Sequence, residues 1–394
     1  MDFSFSIIVF LLHFVILFLF FSPVYSSRTG IHQLANRIGS VEEVHKLKKT
    51  MRNDLQSINK SALKTIQSPD GDIIDCVVFD KQLAFDHSLL KEQKSLDPPE
   101  IPRDNKNALS DNFQLWSLSG ESCPEETIAI RRTEEKAIFN GYADHEHSYG
   151  SLAGDIYHGA KATISVWAPH VESPNEFSLA QMWIVGTNGI DDNNKNTVEA
   201  GWHVNQNLYG DNRPRLFIYW TADGYDQTGC YNLLCPGFVQ TSNKIALGAA
   251  ISPISTYNGG QFDITLSIYK DSKDGNWWLA FGSDLVGYWP FSLFPFLKDH
   301  ATNIQFGGEI TNSKSGGAHT STQMGSGHFA EEGFRKASYI RNIQVWGSDN
   351  NLVPLSNLKF TAEQPNCYNI QGGIDDNWGN YFYYGGPGRN AKCP

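Results

Sequence analysis

From about Ala160 onward the chain is a succession of short segments, each closed by Gly, Asn, Asp or Pro: ATISVWA, FSLAQMWIV, TVEAGWHV, RLFIYWTA, FDITLSIYK, NWWLAFG, NIQFGGEI and ASYIRNIQVWG. Alternation along a strand sends successive side chains to opposite faces, and eight or more such runs at regular spacing close into an antiparallel sandwich or barrel. The 10 Trp, 16 Tyr and 24 Phe suit pleated sheets, the 35 Gly suit tight turns, and only 19% of residues are charged. The expected fold class is mainly β: an antiparallel β-sandwich preceded by a small α+β segment.

The N-terminal part differs. Residues 1–26 begin with Asp2 and no Lys or Arg, and then run apolar from Ile7 to Phe21. That stretch is shorter than the roughly 20 residues of a membrane span, and Val24 and Ser26 suit cleavage after Ser26. The pattern predicts a signal peptide and a secreted protein free of the membrane once cleaved, with an uncleaved anchor as the alternative. In an oxidising compartment six cysteines allow up to three bridges. Cys230 and Cys235 flank only YNLL and pair naturally, Cys367 and Cys393 are placed to tie down the C-terminal end, and Cys76 is left with Cys123. Asn59-Lys60-Ser61 is an N-glycosylation sequon.

Ser40 and Glu43 form a capping box, and Val41, Val44, Leu47, Met51, Leu55 and Ile58 then recur at helical spacing. This predicts a basic amphipathic helix docked on an acidic body. A strand-like unit, Ile73 to Phe79, and a polar, proline-bearing stretch from Lys91 to Asn112 follow. The expected organisation is a signal peptide over 1–26, a removable segment over 27–139 and the β-rich body over 140–394.

A net charge of −11 argues against nucleic-acid binding, which needs Lys and Arg against phosphate. The chain has no G-x-S-x-G, H-E-x-x-H or Walker loop. His145 and His147 share one side of a strand, as a metal pair would, but no third ligand accompanies them; no metal and no cofactor are expected. Carboxylates are the better candidates. In NTVEAGWHVN, Val198, Ala200, Trp202 and Val204 alternate onto one face, and Thr197, Glu199, Gly201 and His203 onto the other. In TNIQFGGEIT, Ile304, Phe306, Gly308 and Ile310 face one way, and Asn303, Gln305, Gly307, Glu309 and Thr311 the other. Each glutamate therefore stands on the polar face of a core-packed strand, two residues from a glycine that marks a close approach to the backbone. Two carboxyls held near each other share a proton; one activates water as a base, and the other polarises the scissile carbonyl and protonates the leaving amine.

Several long strings resemble the neprosin family of plant glutamic peptidases: residues 198–240, FGGEI at 306–310, 327–345 and 367–390, with 64–87 and CPEETIAIRRT at 123–133 resembling the family's activation peptide. The resemblance spans nearly the whole secreted chain. It implies a β-sandwich catalytic domain, a proform with an activation peptide removed in acid, Glu199 and Glu309 as the catalytic pair, and cleavage after proline. It also maps the family's bridges onto Cys230–Cys235 and Cys367–Cys393. The chain departs from the pattern at Glu126, where glycine is expected, and at Ala129, where proline is expected.

The leading expectation is thus a secreted glutamic endopeptidase acting on proline-containing peptides or proteins. Its own propeptide serves as intramolecular inhibitor, loosened when acid protonates the body's carboxylates facing the basic helix. The alternative is a non-catalytic extracellular module binding glycans or peptides through a face built from Trp183, Trp202, Trp220, Trp277 and Trp278.

Overall fold

The alternating segments form strands whose apolar halves face each other across one core. The computed structural model describes residues 55–91, 99, 113–134, 144–189, 194–355 and 357–394, all inside the contact unit bounded by Arg52 and Pro394. The expected signal peptide and most of the expected helix lie outside the described residues; residues 55–58 are helical. Among the described residues no helix is long and apolar enough to cross a membrane.

Strands β1 (Lys64–Gln67), β2 (Ile73–Val78) and β3 (Thr127–Arg131) make a small antiparallel sheet in that order. Two larger sheets form the sandwich. The first contains β4 (Asp144–Tyr157), β6 (Ser178–Gly186), β7 (Asn196–Val204), β8 (Arg215–Thr221), β13 (Ala301–Asn312) and β16 (Lys359–Ala362), in the order β16-β4-β13-β6-β7-β8. The second is built on β5 (Gly159–Ser165), β10 (Asp263–Lys270), β11 (Trp277–Phe281), β12 (Asp284–Trp289), β14 (Ser338–Trp346), β17 (Asn369–Asp375) and β18 (Gly379–Gly385), with the short β9 (Val239–Gln240) and β15 (Leu352–Pro354) at its margins. All strand pairs in both are antiparallel.

The core lies between the two sheets. Val198, Ala200, Trp202 and Val204 from β7 and Ile304, Phe306 and Ile310 from β13 pack in one cluster with Ile164, Leu266, Ile268, Trp277 and Leu279 of the opposite sheet. Trp202 also donates its indole N–H to the Ser165 carbonyl of β5, 2.8 Å away, which satisfies the one polar atom of a fully buried side chain. Because alternation commits these residues inward, the other half of β7 and β13 faces outward, and this puts both glutamates on one open face.

The three disulfides pair as expected: Cys76–Cys123, Cys230–Cys235 and Cys367–Cys393. The small N-terminal sheet packs on the β8 margin of the sandwich. Ile66, Ile74, Cys76, Trp116, Cys123 and Ala129 share a core with Ala246 and Ala249, and Ala84, Phe85 and Leu90 share another with Trp278, Tyr288 and Trp346. Gln82 donates to the Gln240 carbonyl while the Gln240 N–H donates back to Gln82.

The contact expected of the basic helix lies outside the described residues. The described ion pairs join acidic residues of the N-terminal segment to basic residues of the body. Asp72 holds Arg215 at 2.5 Å and Asp70 holds Arg213 at 3.6 Å, with Arg131 closing on Asp72 at 2.8 Å. Net charge sums over the whole surface and says nothing of which few groups meet. The two departures from the family pattern also take on physical meaning. Glu126 has φ of 61°, the left-handed region that glycine enters without strain. Ala129 donates its N–H to the Ser242 carbonyl at 3.1 Å, a bond proline cannot make.

Candidate active site

The outward face of the six-stranded sheet floors a cleft of about 770 Å³. Strand β6 runs between β13 and β7, pairing Glu309 with Leu179 on one side and Glu199 with Trp183 on the other. The glutamates are therefore two strands apart and offset from Leu179 to Trp183 along β6. At about 4.8 Å per strand and about 3.4 Å per residue, their Cα atoms lie roughly 17 Å apart.

Between them stands Gln181, in register with Gly201 on one side and Gly307 on the other. The close approach expected at the glycines is made by neighbouring strands. A Cβ at Gly201 would lie 2.0 Å from the Ala180 carbonyl oxygen and 2.6 Å from Cβ of Gln181; one at Gly307 would lie 2.6 Å from Cβ of Tyr149. The neighbouring strands require these positions to be bare.

Glu199 is buried. Its Oε1 accepts hydrogen bonds from the Thr197 hydroxyl at 2.6 Å and the Tyr225 hydroxyl at 2.7 Å, and its Oε2 accepts from Gln181 at 3.1 Å. Burial pushes its carboxyl up to about 7 against these bonds, with the charge of Glu309 adding a further push. Glu309 has the opposite environment. His145 Nδ1 lies 2.5 Å from its Oε1 and His147 Nε2 lies 3.6 Å from its Oε2. Burial again pushes upward, but the two imidazoles outweigh it and hold Glu309 well below the usual carboxylate range. The expected splitting of two carboxyls is present, yet mutual repulsion is a lesser cause: desolvation raises one and histidines lower the other.

His145 and His147, read from sequence as a possible metal pair, instead flank Glu309. Among the described residues only His319, Cys367 and Cys393 gather ligand atoms around a point, and both cysteines are bridged and have no thiolate to offer. His203, on the same strand face as Glu199, is fully buried against Phe217, with Nε2 2.6 Å from the Tyr209 hydroxyl. Burial and the nearby Arg215 hold it neutral, lowered to about 3. The five tryptophans proposed as a binding face do not form one. Trp183 lines the cleft, whereas Trp202, Trp220 and Trp277 belong to the main core and Trp278 to the core under the N-terminal segment.

Sequence reasoning missed Gln181, Tyr225 and Glu363. Gln181 carried a signal, being the one amide in the apolar run FSLAQMWIV. Tyr225 sits in a loop with φ of 71°, and nothing local foretells its reach to Glu199. The sequon residue Asn59 uses its side chain on Thr133, donating from Nδ2 to the carbonyl and accepting from the N–H, both at 2.9 Å. A glycan on Nδ2 would share that atom with the bond.

Residues 174–387 match the neprosin family and residues 65–167 match the neprosin activation peptide. Three solved structures show partial likeness. Scytalido-glutamic peptidase with a peptide-based transition state analog is 13% identical over 62% of this chain and 100% of its own, with a TM-score of 0.34. SCP-B, a member of the eqolisin family of peptidases in a complex with the tripeptide Ala-Ile-His, is 11% identical over 62% of this chain and 98% of its own, at 0.33. CG-16, a homodimeric agglutinin from chicken liver, is 9% identical over 42% of this chain and 96% of its own, at 0.23. The family matches set the class of the protein as a peptidase. The chain belongs to the neprosin family, the match to its principal domain alone spanning more than half of the residues.

Proposed function

We propose that this protein is a secreted glutamic endopeptidase, made as a zymogen and cutting peptide bonds after proline under acidic conditions. The carrying observation is that Glu199 and Glu309 stand on the floor of one cleft in opposite protonation environments. Pairs of carboxyls whose surroundings push their acidities apart divide into an acid and a base. Glu309, ionised, takes a proton from a water molecule as that water attacks the scissile carbonyl carbon. Glu199, protonated, donates toward the carbonyl oxygen as it gains charge. When the C–N bond breaks, the proton taken up by Glu309 passes to the leaving nitrogen, and the carbonyl oxygen returns its proton to Glu199. The Gln181 amide, hydrogen-bonded to Glu199 between the two, is placed to donate to a substrate oxygen.

In this reading the N-terminal segment is the inhibitor and leaves after a cut between Arg131 and Asp144, where β3 ends and the first sandwich strand begins. Residues 1–26 direct export. Proline-containing peptides of about ten residues, assayed between pH 2 and 7 with cut sites identified by mass spectrometry, test the reading. Cleavage after proline by the parent and none by Glu199→Gln or Glu309→Gln is expected. Full activity in both single variants would sink the two-glutamate mechanism.

A further inference from the structure

His147 lies directly across from Glu309 in the β4–β13 pairing, so ring and carboxylate rise from the same side of the sheet. Beyond β4 is β16, and Glu363 follows its last residue. Glu363 is clamped onto His147 by three bonds. Its N–H donates to the His147 carbonyl at 3.0 Å, and its Oε2 accepts from the His147 N–H and faces Nδ1 of the ring, both at 2.9 Å. The other ring nitrogen, Nε2, faces Glu309. A neutral imidazole has one N–H; with Nδ1 2.9 Å from Glu363 and Nε2 3.6 Å from Glu309, the ring stands between two carboxylates, which favours the imidazolium. His145 adds a second ring on the remaining Glu309 oxygen.

We propose that Glu363 and His147, together with His145, are positioning residues that keep Glu309 ionised and aimed into the cleft far into the acid range. The inference rests on the reading of Glu309 as the base. It gives the HEHS string a purpose that neither a metal site nor ordinary strand packing supplies. Groups facing Glu309 from the neighbouring elements are accounted for as well. Glu199 and His203 lie on β7, and Tyr225 and Tyr231 follow β8; among these only Glu199 is an acid able to add negative charge below neutrality, and it stays protonated there. The net partner of Glu309 at acidic pH is therefore the pair of imidazoles, with Glu363 fixing that of His147 by its ring and its backbone.

The test is the pH profile of kcat/KM between pH 2 and 7 on one proline-containing peptide, using full-length chains processed at a common pH and checked for folding by thermal unfolding. The parent is expected to keep its activity down to the lowest pH at which it stays folded. His147→Gln is expected to raise the acid limb by a pH unit or more, so that activity at pH 3 falls about tenfold further than activity at pH 5, with KM changed less than about twofold. His147→Arg, which carries a permanent cation, is expected to restore the limb, and Glu363→Gln to shift it in the same direction by less. A uniform loss in every variant with the parent's limb intact would overturn the inference while leaving the glutamate pair standing. So would an arginine variant no better than the glutamine one at low pH. Activity in Glu309→Gln would remove the base assignment and this inference together.

Discussion

The two ends of the cleft carry the same functional group on the same sheet face and treat it in opposite ways. Around Glu199 the neighbours are neutral: a threonine, a tyrosine, an amide, and burial beneath them. Around Glu309 the neighbours are imidazoles, and that of His147 is itself anchored to a third carboxylate, Glu363. Hydroxyl and amide donors do not make up for lost water, so Glu199 keeps its proton; cationic donors do, so Glu309 gives its proton up. Division of labour between two identical side chains thus requires no difference in the residues themselves, only in who stands behind them.

That contrast can be broken most severely at the glutamates. Glu309→Gln and Glu199→Gln are each expected to cost about 10²- to 10⁴-fold in kcat/KM, the range for removing a proton-transferring group, measured with the peptide assay. The same substitutions should act oppositely on stability. Glu199 has its folded pKa raised from 4.5 to about 7. The favoured protonated form therefore stabilises the fold fully below about pH 4.5, and this contribution is lost as pH rises toward 7. Glu199→Gln mimics that form and is expected to stabilise the protein by about 3 kcal/mol at pH 7 and negligibly at pH 4, by denaturant unfolding at both. For Glu309 the sign is reversed. Its lowered pKa gives stability that is present above the ordinary carboxylate range and lost as pH falls through the folded value, so Glu309→Gln is expected to destabilise at pH 5 to 7. Identical signs for the two would dissolve the comparison. The smallest effect is at Tyr225. Its hydroxyl bond pulls Glu199 downward, so Tyr225→Phe is expected to move the alkaline limb of kcat/KM upward by a fraction of a pH unit, with activity falling a few-fold at most.

Much of this was legible from spacing alone. Period two separates Glu199 from Val198 and Glu309 from Ile310, because a strand offers only two faces. What spacing could not reach depends on which strands become neighbours. Strand β4 reads DHEHSYGSLAGDIY, polar and rich in Gly and Ser, and lacks the β-branched and aromatic signature of the others; its strand form comes from pairing with β13 and β16. The roles of His145, His147 and Glu363 follow only from that pairing; in sequence the histidines resemble a metal pair lacking its third ligand, and Glu363 carries no signal. The same holds for the N-terminal contact. A turn bearing Asp70 and Asp72 meets Arg213 and Arg215 there, a pairing that only the fold brings together.

The N-terminal sheet also has a consequence once processing is considered. Phe85 and Leu90 cover Trp278 and Tyr288, and the Cys76–Cys123 unit covers Ala246 and Ala249. Among the described residues none from that unit lines the cleft. Departure of the unit therefore strips an aromatic flank remote from the glutamates. Processing would then change the colloidal character of the protein as well as its activity. The processed form is the one expected to stick to surfaces, to self-associate at neutral pH and to need dilution for storage, whereas the unprocessed form can be kept concentrated.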